Sequence, residues 1–514
     1  MYIVTSKQMY AAESNAVKRG TTFSELMEKA GYACSKIIYD TYCNEKAKTK
    51  VLVISGKGKN GGDGFVIARA LWEKGCDVTV LLAYGEPRDG DSLENYNLLD
   101  SAGIPVRRYN GSAAGIMDLL KSNEIYVDAV FGTGFRGKLD DDLSLLAKTV
   151  NALGHTLVSI DVPSGADCDA ASTEGEVFMP DLTIAISALK PIHVMKPANT
   201  VCGEVKIADI GIEPGDFETK EISPCYTLKA SEIKKMLPIR KPVSNKGTYG
   251  HALCVCGSMK MPGAACMSVK GALRTGAGLV TAAFPRSAYP AITSKLTECL
   301  LLPTEENFDG TFAFTAVSAI NEAEKKCNAA LIGCGIGFNQ DTARVTEKFL
   351  KGISIPVVID ADGLNILSRN IDLLKDILAP VVLTPHPGEM SRLTGKSVKD
   401  IVSNPIEICR DFAAKYNCVV VLKVANTVVC DCGKAPIYIN TTGNSGLSKG
   451  GSGDLLAGMI VSLIAQGMEP YEAAVAAVYM HGDAADELAQ KTSMRGMLAT
   501  DLIDYLPAYY GKYE

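Results

Sequence analysis

A glycine-rich run that ends in one carboxylate is the part of this chain best suited to chemistry. Residues 444–454 read NSGLSKGGSGD and pass directly into an apolar helical pattern over residues 455–466. Glycines let the backbone approach an anion closely, and the start of the next helix offers unpaired N–H groups at a positive dipole end. Asp454 could then deprotonate a hydroxyl while these amides stabilise the phosphoryl group under attack. The alternative is a helix cap, in which Asp454 only satisfies the first turn.

A second glycine-rich turn lies in the first half of the chain. Residues 56–65 read GKGKNGGDGF and contain GxGxxG between a predicted strand and a helical pattern. The acid that closes the second strand of a dinucleotide-binding unit is missing, because Asp77 opens that strand and Tyr84 follows it. Asn60 and Asp63 beside the glycines indicate an ion or phosphate site instead.

Two further turns of the first half place polar side chains where strands end. Asp128 lies in the strand that opens DAVFGTGFRG, and Asp161 and Ser164 belong to SIDVPSG. On adjacent strand ends, Asn60, Asp128 and Ser164 would offer hard oxygen ligands with a single formal charge. Such a set suits a monovalent cation better than magnesium or zinc. The alternative is that Asp128 and Asp161 only cap turns.

The second half carries a histidine held between prolines. His386 follows a predicted strand within TPHPGEMSRL, so its backbone is restricted to an extended conformation, and Glu389 and Arg392 are close in sequence. We expect His386 to contact substrate, although a lone histidine is more often structural. GCGIG at 333–337 and DADGLN at 360–365 also follow predicted strands, and no GxxxxGK[ST] occurs, which excludes a P-loop enzyme.

Parallel sheets must position these turns, because short apolar runs alternate with helical patterns throughout the chain. Ligands bind at the carboxyl ends of the strands in such sheets, where nearly all of the motifs lie. The predicted strands of the first half are Val51–Ser55, Val78–Ala83, Ile125–Phe131, Leu157–Val162 and Leu182–Ser187. Those of the second half are Leu253–Cys256, Leu279–Phe284, Ala329–Ile332, Val357–Ile359, Val381–Thr384 and Val419–Val424.

Length and composition indicate a two-domain globular protein. The 514 residues exceed one ordinary core, and a polar, pattern-breaking stretch at 211–230 places the domains at 1–215 and 225–514. A net charge of −6 without a basic block makes nucleic acid an unfavoured partner. The sixteen cysteines show no zinc or disulfide spacing, which favours a reducing cytoplasm. We expect neither a signal peptide nor a membrane span.

NGGDG, DAVFGTGFRG and SIDVPSG together resemble the NAD(P)H-hydrate epimerase domain, the YjeF N-terminal family, over essentially all of residues 1–215. The resemblance implies a Rossmann-like three-layer domain with a potassium ion at Asn60, Asp128 and Ser164. It implies Asp161 as the catalytic acid/base. It also implies substrate contacts from Lys59, Asn60, Gly61, Gly62, Asp63, Gly132, Thr133, Gly134, Phe135, Arg136, Gly137 and Lys138. Lys59 departs from the usual asparagine of the family and could pair with a substrate phosphate.

TPHPGEMSRL, DADGLN, GCGIG and NSGLSKGGSGD, in this order, resemble the ADP/ATP-dependent NAD(P)H-hydrate dehydratases, which have a ribokinase-like α/β fold. The resemblance implies Asp454 as the catalytic base. Substrate binding is implied for Ala265, Gly335, Gly337, His386, Pro387, Gly388, Glu389, Met390, Ser391 and Arg392. Adenine-nucleotide binding is implied for Lys423, Val424, Ala425, Asn426, Thr427, Asn444, Ser445, Gly446, Leu447, Ser448, Lys449, Gly450, Gly451, Ser452 and Gly453. Val424 replaces the usual glycine, which matters if the turn requires a positive φ.

Together the resemblances imply an enzyme that repairs hydrated nicotinamide cofactors, NADHX and NADPHX. The first domain would interconvert the R and S epimers, and the second would dehydrate the S epimer with ADP or ATP and magnesium. A homo-oligomer is implied as well. Two alternatives remain open. The second domain could be a vitamin-precursor kinase of the same superfold, and the first a non-catalytic nucleotide- or RNA-binding module.

Overall fold

The computed structural model describes residues 1–44, 48–219 and 222–514. The chain divides into two compact units, Met1–Tyr226 and Thr227–Glu514. Among the described residues, no helix is both long enough and apolar enough to cross a membrane.

Unit 1 alternates strands and helices. Its strands are β1 (Tyr2–Ile3), β2 (Lys50–Ser55), β3 (Asp77–Leu82), β4 (Val106–Arg108), β5 (Ile125–Ala129), β6 (Thr156–Ile160), β7 (Ala166–Asp167), β8 (Ser172–Thr173), β9 (Leu182–Ile186), β10 (Glu204–Ala208) and β11 (Cys225–Tyr226). Its helices are α1 (Ser6–Lys18), α2 (Phe23–Ile38), α3 (Lys59–Glu73), α4 (Gly90–Ser101), α5 (Ala113–Ser122), α6 (Asp141–Leu153), α7 (Pro191–Val194) and α8 (Pro214–Phe217).

A parallel sheet forms the centre of unit 1, with strand order β10-β9-β6-β5-β2-β3-β4. Its inner strands are continuous buried runs, as expected for a sheet that is covered on both faces. The chain moves outward in one direction from β2 and in the other from β5. The carboxyl ends of β2 and β5 therefore flank the crevice at which α/β sheets bind ligands.

Unit 2 repeats this alternation with more helices. Its strands are β12 (His251–Val255), β13 (Leu279–Pro285), β14 (Leu300–Thr304), β15 (Ala329–Ile332), β16 (Val357–Ile359), β17 (Val381–Leu383), β18 (Val419–Leu422), β19 (Val428–Cys430) and β20 (Tyr438–Ile439). Its helices are α9 (Ala230–Met236), α10 (Pro262–Arg274), α11 (Tyr289–Thr293), α12 (Ala316–Glu324), α13 (Gln340–Gly352), α14 (Asp362–Leu367), α15 (Pro387–Thr394), α16 (Val398–Ser403), α17 (Pro405–Tyr416), α18 (Ser452–Ala465), α19 (Pro470–Lys491) and α20 (Ala499–Tyr510).

The strands of unit 2 lie in the order β20-β19-β18-β17-β16-β15-β12-β13-β14. The strands from β18 to β14 are parallel, whereas β19 and β20 pair antiparallel at one side. The sheet is therefore mixed rather than purely parallel. The chain again reverses direction at the centre, between β12 and β15, so the loops after these two strands meet.

Helix α18, which carries Asp454, is fixed against α10 by small residues. A Cβ on Gly458 would lie 2.1 Å from the carbonyl oxygen of Ser268, so only glycine allows this approach. The Ser462 hydroxyl donates to the carbonyl of Ala272 at 2.7 Å. The two helices thus cross closely, which fixes the start of α18 beside the carboxyl edge of the sheet.

Candidate active sites

A cavity of about 840 Å³ opens in unit 1 at the crevice between β2 and β5. Its wall contains most of the polar residues singled out from the sequence, including Lys59, Asn60, Asp63, Asp161 and Arg136. The loops after β2, β5 and β6 supply these residues, as expected for carboxyl ends of parallel strands. The volume lies in the range typical of small-molecule sites.

Asp161 lies directly after β6 in a left-handed conformation, with φ of +63°. Its Oδ1 accepts a hydrogen bond from the Ile186 N–H at 3.1 Å and also contacts the ammonium of the fully buried Lys190. His193 fixes the backbone, because its Nε2 donates to the Asp161 carbonyl at 2.8 Å while its Nδ1 accepts from the Lys190 N–H. Burial lowers the pKa of His193 to about 4, so this ring is neutral. The surroundings therefore hold one carboxylate oxygen of a cavity-lining acid in place.

Asp128 is completely buried, and its contacts come from neutral groups. The hydroxyls of Ser159 and Ser164 donate to it at 2.7 and 2.6 Å, and the N–H of Ser164 donates at 2.9 Å. Burial raises the pKa of Asp128, and the Ser164 hydrogen bonds oppose that rise. Asn60 lies nearby, with its amide nitrogen donating to the carbonyl of Phe131, which is also in contact with the Ser164 hydroxyl. The structure therefore brings Asn60, Asp128 and Ser164 together around one buried carboxylate.

Two of the three basic residues of the predicted substrate loops, Lys59 and Arg136, have different surroundings. Lys59 begins α3, and its ammonium lies 4.8 Å from the ring centre of Phe23 and 5.4 Å from that of Tyr10. Arg136 donates to the carbonyls of Thr133 and Phe135 and forms ion pairs with Asp167 and Asp169. Lys59 is therefore placed on an aromatic wall of the cavity, whereas Arg136 mainly braces its own loop.

The remaining predicted substrate residues of unit 1 shape the two loops. Gly61 and Gly62 lie in the first turn of α3, where added Cβ atoms would meet the Gly56 carbonyl at 1.9 Å and Met27 at 2.6 Å. The cavity wall after β5 includes Gly132, Thr133, Gly134, Phe135 and Lys138, and Gly137 takes a positive φ of 80° within the same loop.

Two further carboxyl groups of the cavity have raised pKa values. Burial raises the pKa of Asp63 well above its ordinary value, and the nearby Asp161 adds to the rise. Burial also raises the pKa of Glu13, against the opposing charge of Lys59. The cavity therefore combines acidic groups in contrasting environments, which is common at sites of proton transfer.

In unit 2, helix α18 begins directly after Gly451, whose φ is +96°. Asp454 is the third residue of this helix. Burial raises the pKa of Asp454 to about 6, and the neighbouring Asp360 carboxylate adds to the rise. The first-turn N–H groups lie beside this carboxylate at the positive end of the helix. A carboxyl group with a pKa near neutrality next to an anion-binding helix start suits a general base.

Asp360, Lys423 and Cys334 surround Asp454. Asp360 follows β16, and its Oδ1 accepts a hydrogen bond from Lys423 Nζ at 2.9 Å. Burial works to lower the pKa of Lys423, but Asp360 and Glu389, with a smaller contribution from Cys334, together outweigh it, so the pKa lies above its ordinary value. A Cβ on Gly453 would lie only 3.4 Å from this ammonium and 3.6 Å from Asp360 Oδ2, so the glycine-rich loop approaches the pair directly.

His386 caps helix α15 from the loop after β17. Its Nδ1 accepts hydrogen bonds from the N–H groups of Gly388 at 2.9 Å and Glu389 at 3.3 Å. Burial lowers the pKa of His386 and raises that of Glu389 to about 7. Pro387, Met390 and Ser391 lie in the same helix, and Arg392 donates to Asn365 at 3.0 Å. Half of the His386 side chain is exposed, and its Nε2 lies 3.4 Å from Oε1 of the buried Glu389.

In the predicted nucleotide loops, Val424 has an unstrained backbone, and three polar side chains bond to the protein itself. Val424 has no positive φ, so its replacement of glycine causes no backbone strain here. The amide of Asn426 donates to the Asn440 carbonyl at 3.0 Å, and that of Asn444 donates to Asp486 at 2.8 Å. Lys449 donates to two carbonyls, at 2.6 and 2.8 Å, rather than pointing away from the protein.

The other predicted residues of these loops lie along the same edge. Ala425 and Thr427 lie between β18 and β19. Ser445, Gly446 and Leu447 form a short turn of helix, and Ser448, Gly450, Gly451 and Ser452 lead into α18. Ala265 is buried in α10, where Gly257 packs against it, and Gly335 packs against the adjacent Ala264. The N–H of Gly337 donates to Asp362 at 2.9 Å.

Sequence reasoning missed Lys190 and Glu13 in unit 1 and Asp360 and Cys334 in unit 2. Asp360 carried a usable signal, since it directly follows a predicted strand within DADGLN. Lys190 carried none, because its contact with Asp161 depends on the pairing of β6 with β9.

The folds and sites define a class, a two-unit α/β enzyme with a small-molecule cavity in unit 1 and a kinase-like site in unit 2. A solved ribokinase-like superfamily protein from Enterococcus faecalis V583 matches with a TM-score of 0.50 and 25% identity, covering 56% of this chain and 95% of that one. A solved ADP/ATP-dependent NAD(P)H-hydrate dehydratase from Bacillus subtilis, co-crystallised with ATP and Mg²⁺, is 31% identical over 56% of this chain and 98% of that one, at a TM-score of 0.47.

Family models match both units. The NAD(P)H-hydrate dehydratase model matches residues 252–508, and the model of the YjeF-related protein N-terminus matches residues 24–192. A bifunctional NAD(P)H-hydrate repair enzyme from Moorella thermoacetica is 34% identical over 99% of this chain and 96% of that protein. The chain belongs to the family of bifunctional NAD(P)H-hydrate repair enzymes.

Proposed function

We propose that this enzyme repairs NADH and NADPH that have gained water across the 5,6 double bond of the nicotinamide ring. Unit 1 interconverts the R and S epimers of the hydrate. Unit 2 dehydrates the S epimer to NAD(P)H at the expense of ADP or ATP. Membership of the family over the whole chain supports both activities, and the position of Asp454 beside the start of α18 carries the assignment for unit 2.

Dehydration in unit 2 proceeds through phosphorylation of the hydrate hydroxyl. Asp454 takes the hydroxyl proton as the oxygen bonds to the terminal phosphorus of the nucleotide, which leaves with one phosphate fewer. The N–H groups of Gly451, Ser452 and Gly453 stabilise the charge on the transferred group. Magnesium would supply further charge neutralisation for the transferred phosphoryl group. The C–O bond then breaks to release phosphate, a far better leaving group than hydroxide, and the ring loses a proton and regains its double bond.

Epimerisation in unit 1 relies on Asp161 as acid and base. Lys190 and the Ile186 N–H both bind Oδ1, which leaves Oδ2 directed to substrate in the cavity. Lys59 would contact a phosphate of the substrate from its aromatic wall. The hydrated nicotinamide would then lie between the loops that follow β2 and β5.

We propose a potassium ion beside Asn60, Asp128 and Ser164. The buried Asp128 carboxylate, which is bonded by neutral donors, supports this site, because a buried charge without a counter-charge is costly. One formal charge among oxygen ligands suits a monovalent ion. The ion would hold the loops after β2, β5 and β6 in register.

Three finer assignments complete the proposal. ADP is the preferred donor, which the fused two-domain architecture supports, and a comparison of the two nucleotides tests it. The enzyme forms a homo-oligomer. It resides in the reducing cytoplasm. The sixteen cysteines, all present as thiols in the structure, support that compartment, and light scattering tests the oligomer.

The decisive experiment incubates the purified protein with mixed NADHX epimers, ADP and Mg²⁺, and follows NADH absorbance. Complete recovery of both epimers requires both activities, whereas recovery of the S epimer alone indicates an inactive unit 1. A vitamin-precursor kinase would instead release a stable phosphate ester and no NADH. Family membership does not favour that alternative, nor a non-catalytic binding role for unit 1.

A further inference from the structure

One thiol at the centre of unit 2 has no role in the mechanism above. Cys334 follows β15 at the point where the sheet reverses direction, and it is fully buried. Its Sγ and one carboxylate oxygen each from Asp360 and Asp454 all lie within 4.8 Å of one another. The Sγ is 3.8 Å from Oδ2 of Asp360.

One pair of these atoms, Cys334 Sγ and Asp360 Oδ2, has nearly the spacing of neighbouring ligands around a tetrahedral metal ion. Zinc–sulfur and zinc–oxygen bonds of about 2.3 and 2.1 Å place neighbouring tetrahedral ligands about 3.6 Å apart. The observed separation of 3.8 Å between Cys334 and Asp360 requires little adjustment. Lys423 binds the other oxygen of Asp360, Oδ1, so Oδ2 stays directed to the thiol.

We propose that Cys334, Asp360 and Asp454 form a site for a thiophilic divalent cation such as Zn²⁺, and that the bound ion inhibits the dehydratase. Coordination would occupy the carboxylate of Asp454, which then could not accept the hydroxyl proton. Three anionic ligands around a divalent ion leave one excess negative charge, which the ammonium of Lys423 offsets. The fourth position stays open to water or a phosphate oxygen, as in zinc sites with three protein ligands.

The donor set separates this ion from the magnesium of the reaction. Magnesium prefers oxygen ligands in octahedral geometry and retains several waters, whereas zinc and cobalt accept thiolates. The inhibition rests on the proposed function of unit 2, but the binding does not. A spectroscopic test of binding and a kinetic test of inhibition can therefore give negative results independently of each other.

The binding test titrates Co²⁺ into the metal-free full-length enzyme and records its near-ultraviolet and visible spectrum. We expect a thiolate-to-cobalt charge-transfer band and the intense visible bands of a tetrahedral site. C334S should lose the charge-transfer band, whereas C432S, a change at a more accessible thiol of the same unit, should retain it. A wild-type spectrum without the band, or a band that persists in C334S, overturns the proposal.

The inhibition test titrates Zn²⁺ against dehydration of S-NADHX at saturating Mg²⁺. The zinc concentration that half-inhibits the wild type or C432S should be about one-tenth, or less, of the concentration that half-inhibits C334S. Equal sensitivity of C334S and the wild type overturns the inhibitory role. If C334S does not fold by circular dichroism, D454N replaces it, and cobalt affinity unchanged in D454N contradicts the shared site.

Discussion

Replacement of Asp454 by asparagine tests whether this carboxylate is the base of the dehydratase. The change keeps the size of the side chain but removes its basicity, and the loss of a general base lowers rates by about 10²–10⁴-fold. Epimerisation should be unaffected, since Asp161 in unit 1 is untouched. The assay follows NADH formed from S-NADHX with ADP and Mg²⁺, and D504N at an exposed position of α20 is the matched control. Turnover of D454N within threefold of the wild type would remove Asp454 from the mechanism.

The pKa of Asp454 adds a pH dependence to this test. With a pKa of about 6, the base is about nine-tenths ionised at pH 7 but only about one-tenth at pH 5, so the rate falls about tenfold. A carboxyl group with an ordinary pKa near 3.8 would still be about nine-tenths ionised at pH 5. A dehydratase profile in zinc-free buffer that is flat from pH 7 to 5 would contradict burial as the cause of the shift.

The same shift predicts that D454N is more stable than the wild type. A carboxyl group with a raised pKa in the folded protein holds its proton more tightly there than in the unfolded chain. Stability is therefore lost as pH rises from the ordinary value of 3.8 through about 6. Asparagine avoids this loss, which is at most about 3 kcal/mol at pH 7. Urea unfolding at pH 7 measures the difference, and a less stable D454N would refute the reasoning.

Three further predictions concern unit 1. Asp161→Ala should leave repair of the S epimer intact, while the R epimer converts only at its spontaneous rate. Chromatography of the epimers over time measures this conversion. Fast exchange by the mutant would assign the proton transfer to another group, such as Lys59. Lys190→Met should destabilise unit 1 by about 3–5 kcal/mol, because it leaves Asp161 without its buried partner, and denaturant unfolding measures the loss. Rubidium soaked into crystals should give an anomalous peak beside Asp128, absent in Asp128→Asn; a wild-type site without the peak would reduce Asp128 to a turn cap.

The sequence predicted the central strands of both sheets well, because each is a continuous buried apolar run between helices. The strands it missed lie outside these runs. The strand β10 has only one buried residue, and β19 and β20 are only three and two residues long. Side strands of this kind depend on pairing with their neighbours rather than on a hydrophobic pattern of their own.

The predicted site residues divide in the same way, into those marked by a local sequence motif and those placed by distant strand pairing. A motif at a strand end pointed to Asp161, because parallel sheets gather their carboxyl ends at one edge, whereas a glycine-rich run before a helix pointed to Asp454. Lys190 was not predictable, because its contact with Asp161 joins residues 29 positions apart across the sheet. Whether valine at position 424 strains the backbone also depends on three-dimensional context, and the turn after β18 does not adopt a positive φ at that residue.

The two carboxylates that we propose as catalytic, Asp161 and Asp454, differ in where the protein places the nearest lysine. In unit 1 the buried Lys190 pairs with Asp161 itself and holds this carboxylate in place. In unit 2 the corresponding lysine, Lys423, binds Asp360 and not Asp454. Asp360 lies close to Asp454 as a like charge, which adds to burial in raising the pKa of Asp454. A carboxylate meant to take a proton near neutral pH benefits from this arrangement, because pairing with lysine would lower its affinity for the proton.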